Sequence, residues 1–163
     1  MSTTEPRIRR FSGVQRLLHA VLAVTFIGML WTGLCLWSPS LAEVMNRSVA
    51  RPWHEGFAVA LGIAFVLVMV LRPRDLTAIA REVDSLDRDD VEWLRGGPRR
   101  LVDHADAPEQ GWLNAGQKIN TALTMGLLVV LGFTGVLLWL APGTPALRFA
   151  GTVDVHDIAS ILI

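Results

Sequence analysis

Tyrosine is missing altogether from this 163-residue chain, and cysteine occurs once, as Cys35. The first absence removes any catalysis that needs a phenol. The second removes a disulfide framework, a cysteine-held iron–sulfur cluster, a cysteine-rich zinc site and a C-x-x-C-H haem attachment, all of which need more than one thiol. Charge is scarce as well. Only 18% of residues are charged against 52% hydrophobic, and the mean hydropathy is +0.42. That composition fits neither a water-soluble domain nor a disordered chain. Fifteen basic residues balance fifteen acidic ones, so net charge gives no reason to expect a nucleic-acid partner. A reading along the chain finds no internal repeat, P-loop, dinucleotide fingerprint or nucleophile elbow.

What the chain has instead is long uncharged runs. Leu17 to Trp37 is apolar except for His19 and two threonines; Gly56 to Leu71 and Ile119 to Ala141 are also free of charge. A helix crossing roughly 30 Å of hydrocarbon needs about 20 residues. The first and third runs meet that length, and the second does if Trp53-His54-Glu55 lies at the interface. A fourth run begins near Val155 and continues to Ile163, where the sequence stops in mid-pattern. The expectation is one all-α membrane domain over 1–163, an up-down-up-down transmembrane four-helix bundle. Its spans fall near 14–37, 54–71, 119–141 and 155–163, the last incomplete and lacking its remainder in this chain. The first run is too long for the h-region of a cleaved signal peptide, typically about 7–15 residues, and it contains a histidine.

Orientation follows from the basic residues. Twelve of them lie in the N-terminal arm and in the 72–118 segment, and three lie in the other two connections. The N-terminus and the middle loop are therefore expected on the cytoplasmic side of a bacterial inner membrane, with Trp31, Trp37, Trp53 and Trp139 as interface anchors. Within that loop, Pro73 stops the preceding helix and Asp75 is a candidate N-cap. Leu76, Ile79, Val83 and Leu86 recur at helical spacing, which predicts a short amphipathic helix on the inner membrane surface. The acidic cluster Asp84, Asp87, Asp89, Asp90 and Glu92 reads as a solvated face.

Four histidines remain. His104 sits in the polar stretch Asp103-His-Ala-Asp106 and reads as an exposed loop residue. His54 and His156 each open a span at its outer end, at one depth, and His19 lies near the inner end of the first span. One such histidine alone reads as a satisfied helix-end residue. Paired imidazoles from facing helices suit a bis-histidine haem, whose ligand uses one ring nitrogen for iron and offers the other N–H to a neighbour. A partner for His19 would lie about 14 residues beyond His156, at 1.5 Å per residue roughly 21 Å deeper, which is past Ile163. Small residues follow each histidine on its own face: Ala23; Ala58 and Gly62; Ala159 and Ser160. They leave room for a flat macrocycle, and they also promote ordinary helix packing in lipid. For a zinc or copper site, only Glu55 and Asp157 share the depth of His54 and His156, and no thiol does.

Before the third span stands Trp112-Leu-Asn-Ala-Gly-Gln-Lys-Ile119. Asn114 can cap the helix, Gly116 allows close backbone approach, and Lys118 can sit at the headgroups. Two readings stay open: a plain interfacial cap, or a helix N-terminus whose N–H groups and Asn114 or Gln117 amides donate to a quinone carbonyl.

Asn114-Ala-Gly-Gln-Lys118 resembles the signature of the cytochrome b (gamma) subunit of membrane-bound respiratory formate dehydrogenases, prokaryotic di-haem b-type cytochromes. Arg10-Phe-Ser-Gly-Val-Gln-Arg-Leu-Leu-His19 resembles that family's entry to the first helix. The likeness extends over nearly the whole chain. The histidine pattern alone is shared with cytochromes of nickel–iron hydrogenases and thiosulfate reductases, which are the alternative within the redox reading; a haem-free membrane anchor and a transporter or metal-binding bundle are alternatives outside it. No charged residue interrupts the spans, as an ion pathway would require.

The resemblance implies an electron-transfer subunit of a formate:quinone oxidoreductase complex with two haem b groups. The outer haem would take His54 and His156. The inner would take His19 and a later histidine on the fourth helix, a ligand this chain lacks. Menaquinone would bind near Asn114, Gly116 and Gln117. Arg10 and Arg16, near His19, and Arg51, near His54, are candidate partners for haem propionates. The partners implied are an iron–sulfur (beta) subunit, a catalytic molybdenum or tungsten (alpha) subunit, quinone and the lipid membrane.

Overall fold

A computed structural model describes residues 13–97, 108–144 and 150–163, and every regular element among them is a helix. The chain divides into two compact units, Met1–Val68 and Met69–Ile163.

In the first unit, α1 spans Gly13–Trp37, α2 is a single turn at Leu41–Val44, and α3 spans Arg47–Leu71, its last residues passing into the second unit. The threonines of α1 do not disturb it, because each hydroxyl donates to a carbonyl one turn back: Thr25 to Val21 at 2.8 Å and Thr32 to Gly28 at 2.7 Å. That local bond lets a polar side chain stay on an apolar helix. α3 starts earlier than the span expected from residue 54. Asn46 begins it by accepting from the Ser48 amide at 2.9 Å, and Pro52, only a turn and a half inside, removes one N–H from the ladder.

The two long helices of this unit approach closely at Gly28. A Cβ placed there would lie 2.6 Å from the ring of Phe57 on α3, and that ring in turn packs on Trp53, centroid to centroid 5.9 Å. Glycine is needed here for space, since no ordinary Cβ contact is that short.

The second unit holds α4 (Pro73–Asp84), α5 (Arg88–Arg95), α6 (Ala115–Leu140) and α7 (Ala150–Leu162). Pro73 is the first residue of α4, and Arg72, not Asp75, holds the cap position. Proline needs no amide partner and has its φ preset, so the helix begins on it. Asp75 then lies in the first turn, paired with Arg72 at 2.8 Å. The helix ends at Asp84, which leaves Leu86 outside the expected stripe and 55% exposed.

α1 from His19 to Trp37, α3 and α6 are each long and apolar enough to cross a membrane. Their outward side chains agree: Val24 is 65% exposed and Val129 69%. Surfaces of that kind belong in lipid, and the chain is an integral membrane protein. The fourth apolar run forms the 13-residue α7.

Replacing Gly28 by alanine is expected to destabilise the first unit by about 1–3 kcal/mol through overpacking against Phe57. Thermal unfolding in detergent measures it, and the Gly28→Ala, Phe57→Ala pair should lose less than the two single losses added together.

Candidate functional site

His54 lies on α3, half-buried, with Nδ1 3.1 Å from the Met29 carbonyl oxygen and 3.1 Å from Thr32 Oγ1 of α1. A carbonyl can only accept, so Nδ1 carries the ring proton. The Thr32 hydroxyl proton is already directed to Gly28 O, which leaves its oxygen to accept from the same N–H. In a neutral ring with Nδ1 protonated, the metal-binding lone pair is on Nε2.

The second unit repeats the arrangement. His156 of α7 has Nδ1 2.8 Å from Thr134 Oγ1 of α6, and Thr134 donates its own proton to Val130 O at 2.8 Å. With that proton on Val130 O, the Thr134 oxygen can accept from Nδ1–H of His156, as Thr32 does at His54. In both units the threonine precedes its histidine by 22 residues, and a glycine follows the threonine. A Cβ on Gly33 would lie 3.3 Å from His54 Cε1, and one on Gly135 would lie 3.5 Å from His156 Cε1.

The two contacts share one sequence separation. With Thr32 laid on Thr134, His54 falls on His156, Gln15 on Gln117, Arg16 on Lys118, Trp37 on Trp139 and Glu55 on Asp157. Gly28 and Phe57 fall on Val130 and Ala159, a large-for-small exchange between the two helices of the pair. The signal lay in the shared Thr-Gly step and its distance to the histidine. It was hidden because the intervening residues of both stretches are apolar or loop residues with little identity.

The other expected ligand, His19, is exposed on α1, as is Arg16. Arg51 forms an ion pair with Glu55 one turn along α3, Nε to Oε1 2.9 Å. Arg10 and His104 lie outside the described residues.

The Asn114–Lys118 motif begins α6 as a reciprocal capping box. Asn114 Oδ1 accepts from the Gln117 amide at 2.9 Å, and Gln117 Oε1 accepts from the Asn114 amide at 3.0 Å. The cap uses both side-chain oxygens and neither NH2 group. Gly116 lies against the buried Trp93 of α5, whose ring would be 3.2 Å from an added Cβ. Around it the loop is tied down: Glu82 of α4 accepts from the Leu113 amide at 3.2 Å, and Gln110 accepts from the Ala115 amide at 3.0 Å.

Asp90 is not on the solvated face that the sequence led one to expect; it is buried against Lys118. Lys118 and Asp90 are 4% and 1% exposed and form an ion pair of 2.7 Å, with Lys118 Nζ also donating to Ser85 O at 3.1 Å. Asp90 holds a second bond, from the Asp87 amide at 3.1 Å, in the capping box that starts α5. Position in that box turns its carboxylate inward, and its full set of partners makes the burial tolerable.

Comparison with known proteins gives a consistent result. The profile of the family described as prokaryotic cytochrome b561 matches residues 10–163. The formate dehydrogenase cytochrome b556(fdo) subunit of Escherichia coli K12 is 28% identical over 165 aligned residues, covering 96% of this chain and 73% of the relative. The corresponding subunits of Escherichia coli O6:H1 and O157:H7 match to the same extent.

Lys118→Met strands a buried carboxylate and should cost roughly 3–5 kcal/mol. Combining it with Asp90→Leu should recover much of that loss. Unfolding in detergent, followed with limited proteolysis of the 72–114 segment, checks both.

Proposed function

We propose a function from one premise: the chain belongs to the prokaryotic cytochrome b561 family. It is the membrane subunit that carries electrons from a partner iron–sulfur subunit to quinone, in a complex whose catalytic molybdenum or tungsten subunit oxidises formate. The observation that supports this reading is the pair of histidines, each with Nδ1 beside a threonine oxygen of a neighbouring helix, which makes Nε2 the nitrogen that would ligate iron. The name of a relative points the same way, since the Escherichia coli protein is named as a formate dehydrogenase cytochrome subunit.

The residues fit a haem. Two neutral imidazoles are the donor set of a low-spin b-type centre, and a glycine beside each ring keeps the approach open. His54 and His156 would hold one haem; His19 would be a ligand of a second. A bound haem supplies one-electron exchange at its iron. The chain's part is to hold the ligand nitrogens in place, exclude water with apolar helices, and bind quinone at the start of α6. There the NH2 groups of Asn114 and Gln117 are the donors for a quinone carbonyl, and Gly116 allows the ring close to the backbone. Arg16 and Arg51 are the cations for haem propionates, Arg51 by exchanging partners with Glu55.

The distribution of basic residues supports an inner-membrane protein with its N-terminus and the loop before α6 in the cytoplasm. Quinone reduced on that side takes its protons from the cytoplasm. Electrons arriving from the opposite side then build a membrane potential, with about 2.3 kcal/mol per charge for each 100 mV.

Two experiments test the reading in the complex with its partner subunits. His54→Ala and His156→Ala should each remove the same part of the reduced-minus-oxidised b-type spectrum, and the double variant no more than either one. Retention of the full spectrum in both single variants would refute the assignment. At the quinone site, Asn114→Asp keeps the capping oxygen but removes an NH2 donor. It should leave haem content and thermal stability unchanged while lowering quinone reduction about tenfold, the size of one net hydrogen bond of roughly 1.4 kcal/mol. An unchanged quinone-reduction rate would remove Asn114 from the pocket.

A further inference from the structure

We propose that Thr32 and Thr134 are positioning residues that set the donor strength of His54 and His156, each by accepting the Nδ1 proton of its ring. The proposal rests on the haem reading above. It starts from the direction of the hydroxyl protons. Each threonine gives its proton to the carbonyl one turn back, at 2.7 Å for Thr32 and 2.8 Å for Thr134. The oxygen that faces the imidazole therefore acts as an acceptor in both units, at 3.1 and 2.8 Å from Nδ1.

An acceptor on Nδ1–H draws the ring toward imidazolate and makes Nε2 a better donor to iron. Stronger donation favours the ferric over the ferrous state and lowers the reduction potential. The same bond fixes the rotation of the ring, because the backbone carbonyl holds the hydroxyl in one rotamer. Gly33 and Gly135 border the two rings: an added Cβ at Gly33 would crowd His54 Cε1 at 3.3 Å, and one at Gly135 would stand in ordinary contact with His156 Cε1 at 3.5 Å. The arrangement occurs twice, in two units, at one sequence separation, although the packing around it differs between Phe57 and Ala159. A contact kept only for packing would not need the same polar pair in both settings. At His54 the Met29 carbonyl is a second acceptor at 3.1 Å, so removal of Thr32 alone weakens the device there without abolishing it.

The test uses the complex with its partner subunits. Thr134→Val and Thr32→Val keep the side-chain shape and remove the acceptor; the serine variants restore it. Redox titration should show an upward shift of the potential in each valine variant. The ferric-to-ferrous affinity ratio should fall about tenfold in Thr134→Val, within the 10–100-fold span typical of such outer partners. The low-spin ferric resonance spectrum should move, and Thr→Ser should return both quantities to the parent values. Parent potentials and spectra in both valine variants would overturn the proposal. Failure to assemble in the valine and in the smaller alanine variants, with rescue by serine, would show the hydroxyls serving the fold alone and would overturn it as well. Full haem retention by His54→Ala and His156→Ala would instead defeat the haem reading itself.

Discussion

Every polar group on a helix in hydrocarbon must find its partner within the protein, because no water is there to supply one. That constraint organises this molecule. Among the described residues no buried side-chain nitrogen or oxygen lacks a hydrogen-bond partner. Thr25, Thr32 and Thr134 meet the requirement locally, through carbonyls on their own helices. His54 and His156 meet it across elements, through contacts to neighbouring helices. Each takes an acceptor on a neighbouring element, and a threonine already bonded to its backbone is a suitable one: its hydroxyl proton is taken, its oxygen is not. The local solution for one residue type thus becomes the support for the other.

The same support is built twice with different bulk. In the first unit a glycine on α1 admits a phenylalanine from α3; at the matching places of the second unit stand Val130 on α6 and Ala159 on α7. Volume moves from one helix to the other, while the Thr-Gly step and the histidine stay. Packing in an apolar interior tolerates exchanges that keep total volume. A hydrogen bond to one ring nitrogen does not tolerate a change of chemistry. The two sites therefore differ in packing while the polar contact is the same.

Much of this was legible beforehand. Uncharged runs near the length of a membrane crossing marked three spans. The histidines and the Asn114–Lys118 motif stood out because polar residues are few. What stayed hidden depended on contacts between elements. Thr32 and Thr134 look like ordinary membrane-helix threonines until a histidine 22 residues later is seen to meet them. Asp90 looked solvated because its neighbours Asp84, Asp87, Asp89 and Glu92 are exposed, and only its place in the α5 capping box turns it inward. The start of α3 at Arg47 depends on Asn46, whose side chain accepts from the Ser48 amide, a contact that hydropathy does not register.

The Asp90–Lys118 pair gives the motif at the head of α6 a second meaning. A capping box on its own contributes on the order of 1 kcal/mol and frays readily. Here the cap residues are flanked by a lysine whose ammonium is held by α5 and by the Ser85 carbonyl, and by a glycine packed on Trp93. Glu82 and Gln110 fasten the two amides on either side of the cap. The first turn of α6 is thereby fixed from three directions, with its side-chain oxygens turned to its own backbone and its amide NH2 groups outside the box. Arg16, as far before Thr32 as Lys118 is before Thr134, is exposed. Among the described residues, this set of side-chain anchors holds the head of α6, and it does so because the partners of Lys118, Gly116 and the cap amides come from α4, α5 and the segment just before the helix.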